Sequence, residues 1–188
     1  MADSKISALS GVSSIAGAEE FPLNNAGATE KATGTQVSQY VESRLRHGVL
    51  CNKASAQTIT TTTWTDLTWG AEVWKVGDTA IHSTSSNSER LTAQIEGEYM
   101  VVGGIQFDGT TSDFTVGVLI EKNGSLVLGR SFARTLEKPG FGVTVPVPAV
   151  PVQLSATDYI TVQVWQNLGS GYDVTVNYSR FGMYLLGR

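Results

Sequence analysis

From residue 57 onward, apolar and polar side chains alternate with the period of two that is typical of β-strands with one buried face. The longest alternating segment runs from Tyr99 to Phe107, where Met100 and Val102 lie on the face opposite to the others. A second segment begins at Phe114. The residues that share a face in these two segments are Tyr99, Val101, Gly103, Ile105 and Phe107, and then Phe114, Val116, Val118 and Ile120.

Turn-forming residues separate these segments. Asn123-Gly124 is a strong hairpin signal, so residues 125–132 are expected to fold back on the preceding strand. Three prolines in Val143–Leu154 indicate an edge strand or an extended loop. Further strands are predicted at 58–64, 90–95, 159–165, 173–178 and 181–186. Eight or more strands without a helix between them predict an all-β, antiparallel sandwich.

The segment from Met1 to Thr33 has weak periodicity and is rich in small polar side chains. Phe21-Pro22-Leu23 is its only dense apolar segment, and a turn is predicted at residues 24–27. Such a stretch buries too little apolar surface to offset its ordering entropy. It is therefore expected to be disordered or to be ordered by a partner.

A short helix is predicted next. Thr33 and Gln36 form a capping-box pattern, and Gly48 is placed where a helix would end. The apolar residues at helical spacing are Val37, Tyr40, Val41 and Leu45. They pack either against the same helix of neighbouring subunits or against their own domain. The expected organisation is an extended arm at 1–35, a helical neck at 36–56 and a folded domain at 57–188.

Composition narrows the classes of function. The chain of 188 residues has 20 glycines but only 16% charged residues, so hydroxyl and amide groups must coat its surface. A net charge of −4 without a basic block argues against nucleic-acid binding. No apolar run is long enough for a membrane span, and no secretory signal is recognised. The single cysteine, Cys51, fits folding in a reducing cytoplasm.

Four motifs in order resemble the jelly-roll domains of the complement globular head and tumour necrosis factor family. They are residues 97–107 (GEYMVVGGIQF), 120–124 (IEKNG), 154–162 (LSATDYITV) and 179–186 (SRFGMYLL). The resemblance covers residues 64–188. It implies a compact homotrimer whose first and last strands lie together near the threefold axis. The residues assigned to the core or the subunit interface are Tyr99, Phe107, Trp165, Phe181 and Tyr184.

The N-terminal segment resembles the opening of phage tail-fibre and appendage proteins, on residues 6–9 (ISAL), 16–23 (AGAEEFPL) and 27–33 (GATEKAT), followed by Val37. This resemblance implies attachment to a virion through an anchor, with the helix as a trimeric neck. It implies phage capsid or tail proteins as partners and a virion location after assembly in the host cytoplasm. The anchoring residues would be Ile6, Leu9, Phe21, Pro22 and Leu23.

Reactive groups do not form a recognisable catalytic set. His47 and His82 lack the spacing of a zinc motif, and Cys51 is interpreted as a small buried or interface residue. No cofactor is expected. Asp108 and Asp113 flank a hydroxyl-rich loop and are the candidate ligand residues, for calcium or as a glycosidase pair. The interpretation as a solvated turn is favoured.

The tryptophans also allow two interpretations. Trp64, Trp69 and Trp74 recur at five-residue intervals, and Trp165 lies in a later strand. Exposed tryptophans would stack on a host-surface glycan, whereas packing in the core or between subunits is the favoured interpretation. Residues 60–63, four threonines, are predicted to form a strand with a hydroxyl face.

The first hypothesis is a non-enzymatic bacteriophage structural protein, a head fibre or capsid decoration with a trimeric knob. The alternative is a tail-fibre adhesin that recognises host polysaccharide. A polysaccharide-degrading enzyme and a signalling ligand of the tumour-necrosis type rank lower.

Overall fold

The computed structural model describes residues 20–25, 28–33, 47–77, 79–109, 112–135, 142–176 and 178–187. These residues form fourteen β-strands and one 3₁₀ turn at Thr79–Ile81. The chain divides into two compact units, Met1–Arg44 and Leu45–Arg188. The predicted helix with its contact residues Val37, Tyr40, Val41 and Leu45, and the predicted anchors Ile6 and Leu9, lie outside the described residues.

The first unit contains a β-hairpin. Strand β1 (Glu20–Asn25) pairs antiparallel with β2 (Ala28–Thr33), in a register that runs from Glu20↔Thr33 to Asn25↔Ala28. Asn24 and Asn25 of the predicted turn belong to β1, and residues 26 and 27 lie outside the described residues. The weak hydrophobic periodicity did not predict the pairing, because backbone hydrogen bonds hold a hairpin without a periodic apolar face.

The second unit starts earlier than residue 57, so the predicted boundary of the folded domain is wrong. Strand β3 (Gly48–Asn52) lies between β6 (Ala71–Val76) and β14 (Arg180–Gly187) and pairs antiparallel with both. Val49 and Cys51 are fully buried on it. Only these two apolar side chains of the short strand face the core, which is too few for a periodic signal.

Two antiparallel sheets enclose the core of this unit. Sheet I contains β3, β6, β14, β4 (Gln57–Ile59), β8 (Gly97–Phe107), β11 (Val143–Leu154) and β13 (Tyr172–Val174). Sheet II contains β5 (Thr65–Asp66), β7 (Arg90–Thr92), β9 (Phe114–Lys122), β10 (Leu126–Thr135) and β12 (Tyr159–Gln166). Across sheet I the main order is β11-β8-β14-β3-β6, and across sheet II it is β10-β9-β12, with β5 and β7 both beside β12.

The predicted faces of the two longest alternating segments are confirmed. Tyr99, Val101, Ile105 and Phe107 are buried on β8, whereas Met100 and Val102 are half-buried on the opposite face. On β9 the residues Phe114, Val116, Val118 and Ile120 belong to the core. These inward faces of sheets I and II form one contiguous apolar core.

The predicted hairpin and edge strand are also present. Asn123 and Gly124 both have positive φ, 54° and 67°, as a tight turn of the type I′ class requires. The proline-rich β11 pairs with β8 alone among the described strands, with a register shift between Val147 and Val150. An edge position suits prolines because they have no N–H to donate.

The strand predicted at 58–64 is wrong over most of its length. Strand β4 ends at Ile59, and Thr62 has a φ of 57° in the turn that follows. The backbone N–H of Thr62 donates to the carbonyl of Gln166 at 2.7 Å. The tertiary hydrogen bond therefore overrides the strand propensity of the four threonines.

Candidate functional site

The outward face of sheet I carries a row of apolar side chains across neighbouring strands. Trp74 on β6 is paired with Leu50 on β3, Leu50 with Gly182 on β14, and Gly182 with Val102 on β8. Trp74 is 42% exposed, and Leu50 and Val102 are half-buried. A contiguous apolar row that ends in a tryptophan exposed to water is unusual on a protein surface that binds no partner.

A second row runs beside the first. It consists of Val76, Gly48, Tyr184, Met100 and Pro151, each paired with the next on the adjacent strand. Tyr184 is 39% exposed and lies at the centre of this row. The two rows form a continuous surface, which we call the apolar face; its large side chains are Leu50, Trp74, Val76, Met100, Val102 and Tyr184.

Gly48 brings the aromatic residues of the apolar face together. A Cβ atom at this position would lie 2.9 Å from Cβ of Tyr184 and 3.0 Å from Cη2 of Trp74. Both side chains therefore pack over the bare backbone of β3, and a larger residue would push them apart. The glycine that was predicted to end a helix instead makes room for the centre of this surface.

Neither row contains a charged residue, and charged residues of sheet I lie beside the rows. Glu98 pairs with Gly187 beyond one row, and Arg180 pairs with Gly104 and Asn52 beyond the other. A surface with an apolar, uncharged centre and a polar border is typical of protein–protein interfaces.

The five residues assigned to the core or interface separate into three places. Tyr99, Phe107 and Phe181 are fully buried in the core. Tyr184 belongs to the apolar face. Trp165 is half-buried on the outward face of sheet II, where its ring lies 6.4 Å from those of Trp64 and Phe132.

The three N-terminal tryptophans also separate, because five-residue spacing does not match the pleat of one strand. Trp69 is fully buried and packs against Phe181, with ring centroids 5.5 Å apart. Trp74 lies on the apolar face, and Trp64 lies on sheet II beside Phe132 at 6.1 Å. Of the favoured interpretation, packing in the core or between subunits, the structure shows the core part for Trp69.

Asp108 and Asp113 each have hydrogen-bond or ion-pair partners of their own in the described structure. The Asp108 carboxylate accepts a hydrogen bond from the N–H of Gly109 at 2.8 Å, and its carbonyl accepts one from the Tyr172 hydroxyl. Asp113 pairs with Arg134 at 3.3 Å. Within the described ranges no three His, Cys, Asp or Glu side chains are grouped to hold a metal ion.

His82 belongs to a charged cluster at the rim of the core, although its sequence context indicates a polar loop. Its Nδ1 lies 3.0 Å from Oε1 of Glu72, which Lys75 also contacts at 2.8 Å. Partial burial raises the pKa of Glu72, but hydrogen bonds from Lys75 and His82 outweigh it and hold the pKa below its usual value. Glu72 pairs with Cys51 across β6 and β3, so the cluster lies next to the thiol.

Cys51 is fully buried, as predicted. Burial raises the pKa of its thiol to about 12, and the nearby carboxylate of Glu72 adds to the shift. The thiolate that a cysteine nucleophile needs is therefore scarce at neutral pH.

Lys53 is a buried charge that the sequence analysis missed. Its side chain is 2% exposed, and Nζ donates to Oε1 of Gln57 at 2.6 Å and to the carbonyl of Thr68 at 2.9 Å. Burial lowers the pKa of Lys53 to about 8. A lysine next to a short polar segment carries no sequence signal of burial, because most lysines in such places face water.

The arrangement of the two sheets is that of solved jelly-roll structures of the tumour necrosis factor type. Murine APRIL, in a crystal structure at pH 5.0, superposes with a TM-score of 0.56 at 14% identity, over 75% of this chain and 99% of that chain. The Eiger TNF of S. frugiperda superposes with a TM-score of 0.52 at 13% identity, over 76% of this chain and 92% of that chain.

The protein is thus a TNF-like jelly-roll sandwich, and the predicted fold class is confirmed. At these identities the likeness concerns the fold alone. No protein-family model and no curated protein matches the sequence.

None of the helices in the described part of the chain has the length and apolar character that a membrane crossing needs.

Proposed function

We propose that this protein is a non-enzymatic structural component of a bacteriophage particle, a head fibre or capsid decoration that displays a homotrimeric jelly-roll knob. The apolar face carries the trimer part of this proposal. Three copies would bury their Trp74, Tyr184 and Met100 side chains against one another around a threefold axis. Burial of such aromatic and thioether groups is the main source of stability in subunit interfaces.

The place of the apolar face in the fold supports the same arrangement. The resemblance to the complement and tumour necrosis factor domains implies that the first and last strands lie near the threefold axis. In the folded unit Leu45–Arg188 the first strand, β3, pairs with the last strand, β14. Leu50 and Tyr184, which these two strands contribute, lie at the centre of the apolar face.

The virion part of the proposal has separate support, the resemblance of residues 6–37 to phage appendage proteins. The division of the chain into units 1–44 and 45–188 is compatible with an anchor that is independent of the knob. Phe21, Pro22 and Leu23 lie in β1 and would belong to the anchor, which would bind a capsid or tail protein. Three anchors on one trimer would add avidity at the particle surface.

The mass of the full chain in solution tests the trimer. Light scattering at micromolar concentration should find three times the 20.0 kDa mass of the single chain. A uniform species with the mass of one chain at that concentration would contradict the trimer.

Particle association tests the virion role. The full chain and a variant that lacks residues 1–35 are supplied in turn to a phage whose own copy is deleted. The full chain should appear in purified particles, whereas the shortened chain should remain in the soluble fraction. A shortened chain that still enters particles would contradict the assignment of the anchor.

A further inference from the structure

A cluster of three aromatic rings lies on the outward face of sheet II, on the opposite side of the sandwich from the apolar face. Trp64 and Phe132 meet edge to face at 6.1 Å, as do Phe132 and Trp165 at 6.4 Å. Phe132 is 56% exposed, and both tryptophans are partly exposed. We call these three residues the aromatic platform.

Gly117 lies beneath the platform and allows the rings to meet. It pairs with Phe132 on β10 and with Trp165 on β12. A Cβ atom on Gly117 would lie 2.6 Å from the Phe132 ring and 3.0 Å from Cη2 of Trp64. The rings therefore rest on bare backbone, and Phe132 is the most exposed of the three.

Polar groups border the platform on one side. Arg130 lies two residues before Phe132 on the same face of β10, and its guanidinium carbon is 5.9 Å from the centre of the Trp64 ring. Gln163 lies two residues before Trp165 on β12, and its Nε2 donates to Oε2 of Glu121 at 3.2 Å. In the described part of the chain Arg130 forms no ion pair with a carboxylate, in contrast to Arg134, which pairs with Asp113.

This combination fits one chemistry. The C–H faces of a pyranose ring are apolar and weakly positive, so they stack on the negative faces of aromatic rings. An arginine without an acidic partner supplies two parallel donors for a carboxylate. Because the chain has a net charge of −4, an anionic ligand gains from binding only where such a local cation offsets the repulsion.

We propose that the aromatic platform binds a carboxylated sugar unit of an oligosaccharide. The sugar ring stacks on the exposed Phe132 ring beside Trp64 and Trp165, and the carboxylate pairs with Arg130. Oε1 of Gln163 accepts a hydrogen bond from a hydroxyl group of the sugar. The site uses sheet II only, so it does not depend on the virion role or on the apolar face.

Titration of the full chain, followed by tryptophan fluorescence and calorimetry, tests the site. The ligands are tetrasaccharides of galacturonate, mannuronate, glucuronate-containing hyaluronan and sialic acid, each beside its carboxyl-reduced neutral form. At least one carboxylated ligand should bind in the micromolar to millimolar range, at least tenfold more tightly than its neutral form. Failure of all four carboxylated ligands to bind at about 10 mM would overturn the proposal.

Two exposed substitutions locate the binding on the protein. Phe132→Ala should lower the affinity at least tenfold, and Arg130→Gln should remove the preference for the carboxylated form while weak binding of the neutral form persists. Tyr178→Ala is the matched control, because Tyr178 is also an exposed aromatic residue but lies off the platform. Unchanged affinity in Phe132→Ala would overturn the site.

The same variants separate sugar binding from self-association. The mass of Phe132→Ala in solution should equal that of the parent chain. A lower mass would assign the platform to a contact between copies and would overturn the sugar proposal, whatever the outcome for the apolar face.

Discussion

Lys53 shows how a single polar side chain is retained inside an apolar sandwich. Its ammonium group has three oxygen partners at hydrogen-bond distance, on Gln57 and Thr68, but no carboxylate in the described structure. The hydrogen bonds offset part of the desolvation cost of the charge. The lowered pKa shows that the rest of this cost remains.

The charge on Lys53 predicts a pH dependence of stability. Its pKa is 10.5 in the unfolded chain and about 8 in the fold, so the fold binds fewer protons between these values. The contribution of Lys53 to the free energy of unfolding should therefore become more favourable by about 1–3 kcal/mol from pH 8 to pH 10.5. The penalty for the buried charge is fully present below pH 8.

Urea unfolding at pH 7.5 and pH 10 measures this effect, with Lys53→Met as the reference. The raised pKa values of Cys51 and Tyr172 lower the free energy of unfolding at alkaline pH. Both proteins contain these two residues, so their effect cancels when the proteins are compared. Gln57 keeps hydrogen bonds from Thr68 in the variant, so the reference should fold. If the parent and Lys53→Met differ in unfolding free energy by the same amount at both pH values, the pKa of Lys53 is not lowered in the fold.

Cys51 should be inert in the folded protein. Its thiol is fully buried, and its pKa is raised to about 12, so both access and thiolate are lacking. Reaction with a disulfide reagent at pH 8 should be at least 100-fold slower than for the same protein in guanidinium chloride. Equal rates in the two conditions would show that the strand around Cys51 opens readily.

Strand β8 approaches β14 closely at Gly103. A Cβ atom on Gly103 would lie 2.4 Å from the carbonyl oxygen of Arg180, whereas one on Gly104 would meet only Cγ2 of Thr144 at 3.5 Å. The neighbouring residues thus offer a matched pair of substitutions on one strand.

Gly103→Ala should lower the free energy of unfolding by about 2–3 kcal/mol, because the two strands must move apart. Gly104→Ala should change it by no more than about 0.5 kcal/mol. Chemical denaturation of both variants provides the measurement. Equal losses would mean that the β8–β14 register differs from the one described.

For the whole protein, the apolar face predicts which substitutions separate the subunits. Tyr184→Arg places a charge at the centre of this face, where three copies would have to bury it. The variant should have the mass of a single chain in solution, whereas the parent should have the mass of three. It should also retain its β-sheet circular dichroism.

Leu126→Arg is the control for this experiment. Leu126 is 57% exposed at the start of β10 in sheet II, so the substitution adds the same charge away from the apolar face. This variant should keep the mass of three chains. If Leu126→Arg separates the subunits and Tyr184→Arg does not, the interface lies on sheet II.

Alternation and turn chemistry were enough to predict much of the fold. The faces of β8 and β9, the Asn123-Gly124 hairpin and the edge position of β11 all depend on local rules, namely a period of two, positive φ and the missing proline N–H. The resemblance of four motifs, in the same order, to known jelly-roll domains then predicted the jelly-roll class. Elements with little local signal were missed or misplaced, among them β3, the β1–β2 hairpin and the turn at Thr62.

The sequence by itself determined that this protein is a strand-rich sandwich with few charges, because both properties follow from composition and local periodicity. Only the tertiary structure decided where its aromatic residues lie. Trp69 enters the core, Trp74 joins the apolar face, and Trp64 meets Phe132 and Trp165 over Gly117. The physical reason is strand pairing, since residues far apart in the chain become neighbours only when the register of the sheets is set.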